Sequence, residues 1–408
     1  MRKDFLFTSE SVTEGHPDKL CDQISDAIVD RFLQQDSLSS IIAECAISQS
    51  IVFLAVQFAS TAVVDVPYVA REIINEVGYR DEAFSGRSCT ALTSLKEQPL
   101  EEALRFDELA IDEDEIERIP VRNQANAFGY ACNQTPVLMP MPIFLAHRLA
   151  RKISRVRYTN ILPYLTPDAK TQVGVEYKNG RPSRIQTITI QTCVKKSADP
   201  KRLFDDVKET VIDEVFKEEE IRPDADTNID IRSDFSHLGC GPAVHSGLTG
   251  RKNAIDTYGE YARHSGAALS GKDPRRVDRI GAYAARYAAK NVVAAGIADE
   301  CEVQVSYSVG RSRPVSILVE TFGTGKVPDE EIVRLLSEHF EFRPAGILKQ
   351  FRLRHLPRMI KGGFFKKLAA YGQVGRADLG LPWEMTDKAE ILKDAASSIK
   401  SSLRRRKT

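Results

Sequence analysis

The chain carries no surplus of either charge: 57 Lys and Arg balance 57 Asp and Glu over 408 residues. A strongly basic body is therefore missing, and the overall charge gives nucleic-acid binding no support. The run Arg404-Arg405-Arg406-Lys407 reads as a solvated tail. No apolar run is long enough to span a membrane. Met1-Arg2-Lys3-Asp4-Phe5 lacks the apolar stretch of a signal peptide. Both absences predict a cytoplasmic protein. The seven cysteines are scattered, odd in number and form no Cys-x-x-Cys pair. That pattern predicts free thiols in a reducing compartment, with neither zinc nor a disulfide frame. The pattern Gly-x-x-x-x-Gly-Lys-Ser/Thr is also missing, which excludes an ordinary P-loop. No Ser/His/Asp set stands out, and no repeat is visible.

What the chain does have is a stretch of small residues alternating with cations. Gly247-Leu248-Thr249-Gly250-Arg251-Lys252 opens it, and Gly266 through Arg279 closes it. Glycines let backbone approach a ligand, and Arg and Lys neutralise phosphate oxygens. Asp273-Pro274 predicts a helix start, an N-cap followed by proline at the first position. The Ala-rich run to Ala295 then reads as that helix, stopped by Gly296. Arg275, Arg276 and Arg279 would lie in its first turns, against the helix dipole. Such a cluster is either a solvated basic start or the wall of an anion site. The second Gly-rich basic turn upstream favours a polyphosphate site.

Upstream, Pro17 begins a predicted helix with Leu20, Ile24, Ile28 and Phe32 on one face. His16 and Asp18 sit at its start, where backbone N–H groups are free. Ile41–Ala46 and Ser50–Ala59 read as strands, each interrupted by one polar residue, Glu44 and Gln57. Each is a site residue or marks an edge strand facing water. Val66–Val77 reads as a helix and Ser88–Leu95 as a strand. Glu97–Glu117 is acid-rich, a mobile surface segment or a loosely packed helix. Pro140–Val156 reads as an amphipathic helix. Thr166–Lys170 reads as a turn into the strand Thr171–Tyr177. Lys178-Asn179-Gly180-Arg181 is a hairpin turn into Ile185–Cys193. Val207–Phe216 reads as a helix. Strands Glu302–Val309 and Pro314–Thr321 follow, then a helix near Asp329–His339. This mixed order predicts an α+β architecture with mostly antiparallel sheets.

Several motifs together resemble the S-adenosylmethionine synthetase family, or methionine adenosyltransferases. They are Phe7-Thr8-Ser9-Glu10-Ser11-Val12, Gly15-His16-Pro17-Asp18-Lys19, Gly247–Lys252, Ser270-Gly271-Lys272-Asp273-Pro274, Phe322-Gly323-Thr324-Gly325-Lys326 and Pro382-Trp383-Glu384. The resemblance spans nearly the whole chain. It implies three similar α/β subdomains built from interleaved segments, with regions 1–120, 121–240 and 241–408. It implies a homodimer or dimer of dimers with shared active sites. The implied substrates are ATP and L-methionine, with Mg2+ required and K+ activating. No general base is needed, because a thioether sulfur has no proton to lose. Fixed cations aimed at the leaving triphosphate lower the barrier instead.

Matched by motif, His16 would sit at the bond between C5′ and the triphosphate. Lys170, Arg251, Lys252 and Lys272 would hold phosphates, and with His16 these are the implied catalytic residues. Asp168, Ala169, Ala268, His237 and His245 would line the ATP site. Asp18 and Asp278 would bind magnesium, and Glu44 potassium. Gln57, Gln98, Asn123, His245 and Arg276 would line the methionine site. Residues 98–117 match the family's active-site loop.

The chain departs from the family pattern chiefly at the amino acid site. The family's Gly-Ala-Gly-Asp-Gln-Gly segment reads Pro120-Val121-Arg122-Asn123-Gln124-Ala125 here, so Asn123 replaces an aspartate. Gln57 replaces a glutamate, and His245 an aspartate. His237 replaces an adenine-stacking phenylalanine, Arg276 a lysine and Leu269 a phenylalanine. Each lost acid would remove a charge-assisted contact to an ammonium, roughly 1–3 kcal/mol. The resemblance implies a working adenosyl transfer centre with an altered amino acid pocket. The alternatives are the same chemistry on another nucleophile, or an inactive regulatory member.

Overall fold

The computed structural model describes residues 4–80, 82–101, 105–195, 199–233 and 241–405. Its strands run in chain order: β1 Phe5–Val12, β2 Ser40–Ser48, β3 Ile51–Ala59, β4 Thr90–Glu97, β5 Ala125–Cys132, β6 Leu165–Lys178, β7 Arg181–Val194, β8 Asn228–Arg232, β9 Gly247–Leu248, β10 Glu300–Tyr307 and β11 Ser316–Glu320. They form three sheets, ordered β1-β6-β7-β8, β11-β10-β5 and β4-β3-β2-β9. Pairing is antiparallel except at β3–β4 and β7–β8. The α+β class with mostly antiparallel sheets stands.

Each sheet borrows a strand from a distant part of the chain. β1 joins the central sheet, β5 joins the C-terminal pair, and β9 joins the N-terminal sheet. The β6–β7 hairpin turns at Asn179 and Gly180, both at positive φ (51° and 76°), as the Asn-Gly dipeptide predicts.

Among the described residues four α-helices precede β6. They are α1 Pro17–Gln35, α2 Val66–Val77, α3 Glu113–Arg118 and α4 Met141–Tyr158. α2 falls on its predicted span, capped by Asp65 and stopped at Gly78 with φ 104°. α1 is buried nearly all round, from Pro17 to Asp30. Its apolar side, including Leu20, Ile24, Ile28 and Phe32, joins the largest core cluster. Its other side carries Asp18, Asp22, Asp26 and Asp30, four residues apart and therefore stacked along one stripe.

Several expectations need correction. The Ala-rich helix spans Val277–Ala294, not from Asp273. The Asp273 carboxylate caps no helix: it accepts the Ile41 N–H at 2.8 Å and the Arg275 N–H at 2.7 Å. Its segment adds to the edge of β2, with Ile42 bridging Lys272. Val207–Phe216 is not a single α-helix, because a π-helical stretch occupies Lys208–Asp213. β1, β5, β8 and β9 have no counterpart among the expected strands, and Thr166–Lys170 lies inside β6, irregular where the register shifts. In the acidic segment, Glu113–Arg118 forms α3, and Ile111 and Ile116 pack with Ala345; residues 102–104 lie outside the described set. Cys21, Cys45, Cys89, Cys132 and Cys301 are free, but Cys193 is disulfide-bonded, against the expectation of free thiols throughout.

Candidate active site

The site is built outward from the first turn of α1. His16 is its N-cap, and Pro17 follows at the first helical position. The His16 Nδ1 accepts the Asp18 backbone N–H at 3.2 Å. Burial pushes the imidazole down to about 3; Asp18 opposes this, and Lys252, Lys170 and Lys19 add to it. The ring is therefore neutral at physiological pH. Its Nδ1 lone pair is engaged, so the proton sits on Nε2, which is a neutral donor.

The stripe of aspartates on α1 fixes the two glycine turns around that donor. Asp18 accepts the Leu248 N–H at 3.0 Å, and Asp22 the Gly250 N–H at 2.8 Å. Asp26 accepts the Gly271 N–H at 2.8 Å, and Asp30 accepts the Phe365 and Lys366 N–H groups. A side chain at Gly247 would meet the Pro17 carbonyl at 2.2 Å, and one at Gly271 the Ala43 carbonyl at 2.0 Å. These glycines are there because backbone packs on backbone. Asp22 also binds Lys19 at 2.8 Å, and Lys19 reaches Asp256 at 2.5 Å, all fully buried. Burial raises Asp22 and lifts Asp256 to about 7, with Lys19 pulling both back. Burial alone would discharge Lys19, but its two carboxylates outweigh that and hold its pKa above the usual lysine value.

The Gly250 turn so fixed brings two cations to the Asp18 carboxylate. Lys252 Nζ lies 3.1 Å and Arg251 Nη1 3.7 Å from the Asp18 carboxylate. Ala268 backs the turn at Gly250. Lys272 pairs with Asp278 at 2.9 Å. Asp168, Ala169 and Lys170 are latched to the same corner. Thr13 donates to the Pro167 carbonyl at 2.6 Å and accepts the Ala169 N–H at 2.8 Å. Lys170 is exposed and forms no ion pair among the described residues. The Asp168 carboxyl is pushed up to about 6 by burial, with Lys170 and the Gly241 N–H pulling it down. Its Oδ2 accepts that N–H at 3.2 Å, while its Oδ1 is buried without a partner.

A second group forms elsewhere. Gln98 donates to Gln57 at 3.1 Å. Gln98, Asn123 and Arg276 line a cavity of about 120 Å³ together with Arg105, Arg122 and Arg275. This cavity shares no lining residue with the cleft formed by Asp168, Ala169, Lys170 and His245. His245 thus stands with the Asp168 group and not with Gln57, Gln98, Asn123 and Arg276. Gln57 and Glu44 are exposed on the outward face of their sheet, not inside a buried strand. His237 lies outside the described residues.

The arginines read together as an anion wall have separate fates. Arg279 is fully buried and grips Asp26 through two bonds of 2.8 Å. Arg275 and Arg276 pair with Asp273. What sequence reasoning missed is the aspartate stripe, although its four-residue spacing is visible in the sequence.

Models of three domains match this chain in order: the S-adenosylmethionine synthetase N-terminal domain over residues 4–99, the central domain over 118–235 and the C-terminal domain over 239–385. A protein named S-adenosylmethionine synthase from Gloeothece citriformis is 48% identical, covering 97% of this chain and 98% of that protein. One of the same name from Microcystis aeruginosa is 48% identical over 98% of this chain and 99% of its own. Another, from Thermosynechococcus vestitus, is 46% identical over 98% of this chain and 100% of its own. The chain belongs to the S-adenosylmethionine synthetase family.

Proposed function

We propose that this chain is an S-adenosylmethionine synthase, a methionine adenosyltransferase. It joins ATP and L-methionine to S-adenosylmethionine, then cleaves the tripolyphosphate with water to phosphate and diphosphate. The observation that carries this reading is the convergence of His16, Lys170, Arg251 and Lys252 around Asp18. In the first step a sulfur lone pair forms the bond to C5′ as the C5′–O bond breaks, and its electrons leave with the triphosphate. No proton is lost. The cations stabilise the charge that gathers on the leaving group, and the His16 Nε2–H donates to the departing oxygen. The unpartnered Asp168 Oδ1 fits a donor from the nucleoside, with Ala169, His245, Ala268 and His237 as the other ATP contacts. If so, the Michaelis constant for ATP rises as pH falls through about 6, because protonation removes that acceptor. Asp168→Asn should flatten the profile, and an unchanged slope in that variant would assign the titration elsewhere.

Magnesium fits this site through few protein ligands. No group of three or more His, Cys, Asp or Glu is placed to hold a metal among the described residues. Magnesium is commonly bound by one or two carboxylates plus substrate phosphates, where it neutralises their charge. Asp18 and Asp278 would serve. Each now holds a lysine, and bound phosphates would take the lysines and free the carboxylates. Glu44 would contribute to a potassium site completed by other oxygens.

The amino acid would lie against Gln57, Gln98, Asn123 and Arg276. Since that pocket and the phosphate cluster share no wall, we place the working site between two copies, one supplying each half. The outward face of the N-terminal sheet supports a dimer. Leu248, Ala46, Phe53 and Leu92 form one row across it, with Leu248, Phe53 and Leu92 exposed. A fully active monomer in light scattering would contradict this. We place the enzyme in the cytoplasm; no helix among the described residues is long and apolar enough to cross a membrane.

Gln57→Glu and Asn123→Asp should each lower the Michaelis constant for methionine, and leave that for ATP nearly unchanged. The ligand's ammonium now meets amides at both places, and a carboxylate there would add roughly 1–3 kcal/mol. Steady-state kinetics with each substrate varied tests it. If both changes leave methionine dependence untouched, the pocket is adapted to another nucleophile.

A further inference from the structure

The end of α2 is docked onto the turn that carries His16. Gly78 stops the helix at φ 104°, and Tyr79 follows with its N–H on the Ile74 carbonyl at 3.2 Å. The Tyr79 ring stands edge-on to Phe84, centroids 5.3 Å apart, and the residue is 4% exposed. Its hydroxyl donates to the Gly15 carbonyl at 2.5 Å. A second tie joins the same two segments. The Arg157 Nη2 donates to the Val77 carbonyl at 2.9 Å and to the Glu14 carboxylate at 2.7 Å.

The Gly15 carbonyl and the His16 N–H belong to one peptide unit, and that unit is held at both ends. Tyr79 holds the oxygen, and the Thr13 carbonyl accepts the N–H at 3.1 Å. Gly15 is buried, so its carbonyl left without a donor would cost free energy. There is no slack beside the unit: a side chain at Gly15 would meet the Pro167 carbonyl at 2.3 Å. On the far side of the hydroxyl, a side chain at Gly241 would meet the Tyr79 oxygen at 2.1 Å. The Gly241 N–H reaches Asp168 at 3.2 Å. The hydroxyl therefore lies between the His16 turn and the Gly241 turn that meets Asp168.

We propose that Tyr79 is a positioning residue for adenosyl transfer: its hydroxyl fixes the Gly15–His16 peptide and so the direction in which the imidazole donates. The proposal rests on the role given above to His16. The ring has one further fixed point, the Asp18 N–H on its Nδ1. Together the held peptide and the held Nδ1 set where Nε2 points. A hydrogen-bond donor acts only over a narrow range of distance and angle, so a small rotation of the peptide would misdirect it. Tyr79 itself transfers no proton.

The test is a double-mutant cycle on single-turnover and steady-state product formation, with Tyr79→Phe, His16→Ala and the pair. Phenylalanine keeps the ring against Phe84 and removes only the hydroxyl. The expected result is a roughly tenfold or larger fall in rate for Tyr79→Phe, with the Michaelis constant for methionine little changed. In the His16→Ala background the same substitution should cost less than about twofold, because no imidazole is left to position. Equal losses in both backgrounds, as a general loss of structure would give, overturn the proposal. The His16→Ala arm separates the tie from the role of His16 itself. A parent-like rate there removes His16 from the reaction and the proposal with it. A slowed His16→Ala beside a parent-like Tyr79→Phe overturns the tie alone.

Discussion

Lys170→Ala and Lys272→Ala should each slow adenosyl transfer by roughly 10²–10³-fold, the usual cost of removing one fixed group that stabilises transition-state charge. The fold should survive both. Lys170 is exposed and unpaired among the described residues, so its truncation breaks no structural bond. Lys272 gives up one pair, with the carboxylate of Asp278. Its backbone stays fixed, since Gly271 is held by Asp26 and Asp273 by the Ile41 carbonyl. The loss should fall on kcat, with the Michaelis constant for methionine little changed, because these ammoniums meet charge that develops on the leaving triphosphate. Single-turnover product formation beside circular dichroism decides it. Near-normal turnover in a natively folded variant would remove the residue from the mechanism.

The other large effect is on stability. Asp26→Ala should destabilise the chain by about 3–5 kcal/mol, the cost of stranding one partner of a buried ion pair. Arg279 has no water to fall back on: it is fully buried, donates to both Asp26 oxygens and lies over the Phe365 ring. Burial alone would lower the Arg279 pKa; Asp26 and Tyr283 outweigh it and raise it. The same variant frees the Gly271 N–H and so the turn carrying Lys272. Asp26→Asn keeps one acceptor and loses the charge, so it should fall between the parent and Asp26→Ala. Urea unfolding midpoints rank the three proteins. A parent-like midpoint for Asp26→Ala would show that the stripe is not what holds the turns.

Local rules carried much of the fold into view. α2 falls on the span read as helical, Val66–Val77, and Asn-Gly marks the β6–β7 turn. β1 and β5 escaped because their alternation includes many small and hydroxyl residues and their partners lie far along the chain. Interleaving is a tertiary fact of that kind, with no local signal. The site was legible where the chemistry is on the surface of a motif: His16, Asp18, Lys170, Arg251 and Lys252 do converge. It was misread where charges are structural. A helix bearing four aspartates ordinarily shows them to water, yet α1 turns them inward onto backbone N–H groups. Arg279 looks like a phosphate ligand in sequence only because its partner, Asp26, is 253 positions away.

The central claim is that this chain makes S-adenosylmethionine at the Asp18 cluster. The most direct test is mass detection of products from ATP, L-methionine and Mg2+ with the parent protein, and with Lys170→Ala beside it. The account predicts S-adenosylmethionine in step with phosphate and diphosphate, and its near loss in the variant. ATP consumption without S-adenosylmethionine, or equal product from the variant, would contradict it.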